Sequence, residues 1–186
     1  MTTGPEADPC LMALLTRAKA GGQPIVLLGI GNELRGDDAI GHLVAQGLQE
    51  LELPGLKAFP VGISLENATH LVARHGAQVL ILVDAVADLE RPLGAWDFFE
   101  PEALDSFIHS THSVPLSLFV SYWRQEIPGL EVHFIGVNIH ATATFKAVSA
   151  EILNAREALL EAFRNGLSFE PPTSVIMVRN RSKGTP

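Results

Sequence analysis

Asp37 and Asp38 stand side by side after an apolar run and a glycine-broken turn, in Pro24-Ile-Val-Leu-Leu-Gly-Ile-Gly-Asn-Glu-Leu-Arg-Gly-Asp-Asp-Ala-Ile-Gly41. A third carboxylate, Asp84, closes the run Val79-Leu-Ile-Leu-Val83, and His112 lies in the polar loop Ser110-Thr-His-Ser-Val-Pro-Leu-Ser-Leu118. Each follows a strand-like run or precedes a helix. In an open α/β sheet such junctions lie at the carboxyl ends of the strands, where ligands bind, and a helix N-terminus there favours an ionised carboxylate. Asp38, Asp84 and His112 together make a mixed oxygen and nitrogen donor set. That set suits a borderline divalent ion such as nickel or zinc, with positions left open for substrate.

Each candidate has a plainer reading. Asp37 suits the N-cap of a helix beginning near Asp38. An isolated Asp84 would cap the following turn through backbone amides, and what favours ligation is Asp38 at the same sheet edge one crossover earlier. His42, His70, His75, His133 and His140 read as solvated or core histidines, and His109 is the rival to His112 in its own loop. Cys10, the only cysteine, reads as a small apolar residue on a helix rather than a nucleophile. Ser110 and Ser113 lack the glycine-flanked elbow that presents a serine nucleophile.

The elements that must position these groups alternate. Strand patterns cover Ile25–Ile30, Lys57–Val61, Val79–Asp84 and Glu131–Val137, with an edge strand near Ala95–Glu100 and a short extra strand at Ser174–Val178. Helical spacing covers Ala39–Leu51, Leu65–His75, Pro115–Arg124 and Phe145–Asn165, the last stopped at Gly166. An additional helix over Pro9–Ala20 ends at Gly21-Gly22 and is expected to pack on the sheet edge. Buried parallel strands read as continuous β-branched and leucine runs, as Ile25–Ile30 does. The alternation predicts a three-layer α/β fold, with a twisted, mainly parallel sheet of about five strands and helices on both faces.

The 186 residues fit one domain, with residues 1–8 and 182–186 as polar ends and a core of about 24–166. Thirteen Lys and Arg stand against 21 Asp and Glu, a formal charge of −8, and no basic stripe suited to nucleic acid is present. A lone cysteine excludes an internal disulfide and multi-cysteine metal motifs. No apolar run reaches the roughly 18 residues of a membrane span, and no signal peptide precedes the first helix. A cytoplasmic monomer is the expectation.

The segments Gly29-Ile-Gly-Asn-Glu-Leu-Arg-Gly-Asp-Asp-Ala-Ile-Gly41, Leu82-Val-Asp-Ala85, Thr111-His-Ser-Val-Pro-Leu116 and Phe134-Ile-Gly-Val137 resemble the hydrogenase maturation proteases, and the resemblance runs from about Pro24 to Gly166. It implies an endopeptidase that trims a C-terminal peptide from the large-subunit precursor of a nickel-iron hydrogenase once nickel is inserted. By position, Asp38, Asp84 and His112 are its nickel ligands. Nickel then belongs to the substrate as much as to the enzyme, and zinc or cadmium could substitute in a crystal. The Thr-His-x-x-Pro-Leu form is similar to the branch serving hydrogenases of the formate-hydrogenlyase type. Where the family commonly carries Asp-Gly-Gly after the second strand, this chain has Pro60-Val61-Gly62, a departure that bears on cleavage-site recognition. The N-terminal segment is also longer than the family's.

The implied mechanism is metal-assisted hydrolysis, with the ion polarising the carbonyl or activating water and Asp38 doubling as general base through a water. Two other classes meet the same residues. Gly29-Ile-Gly31 after a strand allows a dinucleotide-binding oxidoreductase, although Leu34 replaces the third small residue and acids stand where pyrophosphate would sit. A nickel-sensing chaperone would bind the precursor without cutting it.

Overall fold

The computed structural model describes residues 8–99, 116–140 and 144–168. Strands β1 (Ile25–Ile30), β2 (Leu56–Gly62), β3 (Val79–Ala87), β4 (Trp96–Phe99) and β5 (Glu131–Ile139) form one sheet in the order β2-β1-β3-β5-β4. The first three pairings are parallel and β4 runs antiparallel to β5, so the α/β fold with a five-stranded, mainly parallel sheet is borne out. β1 is buried along its whole length, as its unbroken apolar run requires between two helical layers. The expected extra strand at Ser174–Val178 lies outside the described residues.

Helices α1 (Pro9–Gly21), α2 (Ile40–Leu51) and α5 (Ala150–Ser168) pack on one face, sharing a core with Leu27, Ile81 and Ile135. Helices α3 (Thr69–Arg74) and α4 (Leu116–Glu126) cover the other face, over Val26, Leu28, Leu80 and Phe134. Alternate residues of β1 thus feed the two cores, which is the period-two geometry of a strand. The expected helix over Leu65–His75 divides into a 3-10 turn, Leu65–Ala68, and the short α3.

Two expectations need correction. α1 does not sit on the sheet edge: Leu11, Leu14, Leu15 and Ala18 are buried in the core shared with α5. Gly166 is not a helix stop but a buried residue inside α5, and a Cβ there would meet Leu15 Cβ at 2.8 Å. The glycine lets two helices approach closely. At its other end the helix begins at Ala150 rather than Phe145, because Phe145 adopts φ +60, outside the right-handed helical region.

α1 is also tied across the sheet. Arg17 Nη1 and Nη2 donate to the two carboxylate oxygens of Glu131 at 2.8 and 2.5 Å. The guanidinium holds Glu131 below its usual carboxylate range, hydrogen bonding being the main cause. A carboxylate acidified by folding adds stability at pH above its unfolded value of about 4.3, and that increment is lost as pH falls through the lower folded value. Both partners are partly exposed, so the increment is small. Glu131→Gln is therefore expected to lower the denaturant midpoint at pH 7, with the gap to the parent closing as pH drops below about 4. A gap that does not change with pH would remove the pair from the account.

β2 is the outer strand on its side of the sheet. Ile25 N–H donates to Gly55 O at 2.8 Å, so by alternation residues 57 and 59 face β1 while 58 and 60 face outward. Pro60 therefore lacks an N–H on the open side, where none is needed.

Candidate functional site

Three glycines fix the path from β1 into α2. A Cβ at Gly29 would fall well inside 3.0 Å of Gly41 O, and one at Gly31, whose φ is +142, would do the same to Asp38 O. A Cβ at Gly41 would collide with both Ile30 O and Val83 O. The first turn of α2 thus rests directly on the last carbonyl of β1 and on the Val83 carbonyl in the middle of β3. The glycine spacing that suggested a dinucleotide fold is used here for helix-on-strand contact, one of the reasons such glycines occur.

This docking brings the two acids to one edge. Asp38 lies in a 3-10 turn, Gly36–Ala39, immediately before α2, and Asn32 N–H donates to its backbone carbonyl at 3.2 Å. Asp84 directly follows Val83, whose carbonyl Gly41 touches. Both side chains are buried, with 7% of each residue exposed, a costly place for a carboxylate unless it has partners or a cation to meet. Ala85 N–H donates to Asp84 Oδ1 at 2.8 Å. β3 continues to Ala87 beside β5 rather than turning after Asp84, so the acid projects from within a strand and caps no turn. His112 lies outside the described residues, as do His109, Ser110 and Ser113. Among the described residues no three His, Cys, Asp or Glu side chains converge on a cation position.

Asp37 is not an N-cap of α2. It sits inside the 3-10 turn, and its Oδ1 accepts the Ser149 N–H at 2.7 Å, so it serves the start of α5 instead. The loop is held further by Leu34 N–H to Asn32 Oδ1 at 2.9 Å and by Phe145 N–H to Leu34 O at 2.7 Å. Sequence reasoning missed the contact of Glu33 with His42, which clasps the acid loop to α2; their spacing of nine residues across a turn is no helical signal.

A second clamp was also unread. Asn138, fully buried, accepts the Asp88 N–H at 2.8 Å and donates to Arg91 O and Pro92 O at 2.9 and 3.0 Å. It fixes the chain that leaves β3 four residues after Asp84, and His140 Nε2 lies 2.7 Å from Arg91 O in the same loop. Asn138→Leu takes the acceptor from the Asp88 N–H and one of two partners from each of Arg91 O and Pro92 O. The expected cost is about 1–3 kcal/mol of stability, read in a denaturant titration, with faster amide exchange at Asp88; an unchanged midpoint would show that water replaces the amide freely.

Comparison bears out the resemblance that the motifs carry, since the fold is similar to that of solved hydrogenase maturation proteases. No family model matches the chain. Among solved structures it is similar to the nickel-iron hydrogenase maturation protease HycI of Thermococcus kodakarensis, at 29% identity and a TM-score of 0.72, covering 84% of this chain and 99% of that one. Among curated proteins it is 25% identical over 137 residues to the hydrogenase 3 maturation protease of Escherichia coli, covering 73% of this chain and 86% of that protein. A Methanocaldococcus jannaschii protein assigned by name to the same family is 26% identical over 121 residues, 61% of this chain and 70% of its own. These relatives are named as proteases, hydrolases of peptide bonds.

Proposed function

We propose that the chain is a hydrogenase maturation endopeptidase that removes a C-terminal peptide from the nickel-loaded large-subunit precursor of a nickel-iron hydrogenase. The observation that carries this reading is the pair of buried acids, Asp38 and Asp84, delivered to one sheet edge by the contact of Gly41 with Ile30 and Val83, in a fold whose named relatives are maturation proteases. Asp38, Asp84 and His112 are the residues assigned to meet the nickel that the precursor carries. Two anionic oxygens and one imidazole fit such an ion. When present, the ion supplies Lewis acidity toward the scissile carbonyl or its attacking water. Asp38 serves as general base through a water, and the buried setting of both acids excludes bulk solvent from the reacting groups.

Nickel is thus read as cargo of the substrate. No helix among the described residues is long and apolar enough to cross a membrane, and the working form is proposed to be a cytoplasmic monomer. The test is incubation with large-subunit precursor purified with and without nickel, followed by mass spectrometry. Loss of a C-terminal peptide from the nickel-loaded form alone is expected. Binding without cleavage would turn the reading to a chaperone, and equal cleavage of both forms would remove nickel from it.

A further inference from the structure

Each parallel strand leads into a loop that carries a large apolar side chain into solvent. Leu34 follows β1, Ile63 follows β2, Leu89 follows β3 and Phe145 follows β5. Leu34 and Ile63 are each 57% exposed and Phe145 is 83% exposed. Single exposed apolar residues need no explanation, whereas a group of them marks a contact surface.

Two hydrogen bonds draw three of these loops together at the acid-bearing edge. Gly31 N–H donates to Gly62 O at 3.1 Å, placing the start of the acid loop beside the residue that precedes Ile63. Phe145 N–H donates to Leu34 O at 2.7 Å. The exposed charges of the three rim loops balance, Glu33 and Glu66 against Arg35 and Lys146, so the negative charge at this edge is that of the buried Asp38 and Asp84. An apolar rim around buried carboxylates is complementary to an apolar segment that carries a cation.

We infer that Leu34, Ile63 and Phe145 form the specificity rim of the proposed site, receiving apolar side chains of the precursor next to the scissile bond while the carboxylates face its metal. The inference rests on the proposed endopeptidase reading. The rim selects substrate and takes no part in bond breaking, so its loss should raise KM and leave kcat in place.

The experiment compares the parent with Leu34→Ser, Ile63→Ser and Phe145→Asn, all at exposed positions, the last chosen because asparagine tolerates positive φ. Each is measured for binding and turnover with nickel-loaded precursor, after circular dichroism has confirmed folding. A rise of about tenfold in KM and in Kd for at least two variants, with kcat within about twofold, is the expected result. Unchanged KM and Kd, or a fall confined to kcat, would overturn the rim. Sedimentation supplies a further arm: a parent that dimerises and variants that become monomers at unchanged KM would assign the patch to self-association and also overturn it. A parent that binds precursor without cutting it defeats the endopeptidase reading alone, since Kd still reports on the rim. A parent that does not bind defeats both.

Discussion

Asp84→Asn is expected to leave the protein folded and to cut precursor processing by about a hundredfold to a thousandfold or more, on the scale of removing one group that stabilises a transition state. Asparagine keeps the volume and one oxygen that can accept the Ala85 amide, but it loses the charge that would meet a cation. The melting temperature should hold or rise, because burying an ionised carboxylate carries a desolvation cost that an amide avoids. Asp38→Asn should behave alike, and it would also lose the proposed base. Asp37→Asn is the internal contrast. Its carboxylate is spent on the Ser149 amide, so processing should stay near the parent's with at most about 1 kcal/mol lost in stability. Mass spectrometry of precursor beside thermal melts decides the matter. Near-normal cleavage by Asp84→Asn would take that residue out of the chemistry.

Gly41→Ala is expected to be among the most disruptive additions of a single methyl group at the described residues. The new carbon would overlap two backbone carbonyls, at Ile30 and Val83, that belong to central strands and cannot swing aside. A cost of about 3–5 kcal/mol follows from forcing rigid elements apart, and any folded remnant would have α2 lifted from β1 and β3. Two other glycines calibrate the prediction. At Gly47 a methyl would meet Arg156 Nη2 at 2.6 Å and Leu160 Cδ1 at 2.7 Å, ends of flexible side chains that can yield. At Gly55 it would meet nothing within 4 Å, leaving only the φ of +76 to oppose it, about 1–2 kcal/mol. Denaturant midpoints should fall in the order Gly41, Gly47 or Gly55, parent. A Gly41→Ala protein as stable as Gly55→Ala would refute the close approach.

Where one periodicity governs a segment, the chain declared its own structure. β1 begins and ends at Ile25 and Ile30 as read, since a strand buried on both faces must be apolar throughout. Errors arose where long-range packing overrode local signals. Gly166 carries the usual mark of a helix stop, yet Leu15 of a helix formed some 150 residues earlier needs the space it leaves. Asp37 has the composition of a cap, but its partner is an amide 112 positions away. The site shows the same division. Asp84 is legible because it closes an obvious apolar run and Asp38 because it stands between a glycine-broken turn and helical spacing, whereas Glu33, His42 and Asn138 hold loops by contacts that no spacing rule encodes.

The seat of α1 has a temporal consequence. Its hydrophobic stripe lies against α5, and its arginine reaches Glu131 across 114 positions of chain. A polypeptide made from its N-terminus therefore produces this segment before the sheet and must carry it unpartnered until almost all of the strands have emerged. A helix made ahead of the strands thus finds its place only after them, and its buried stripe closes the core.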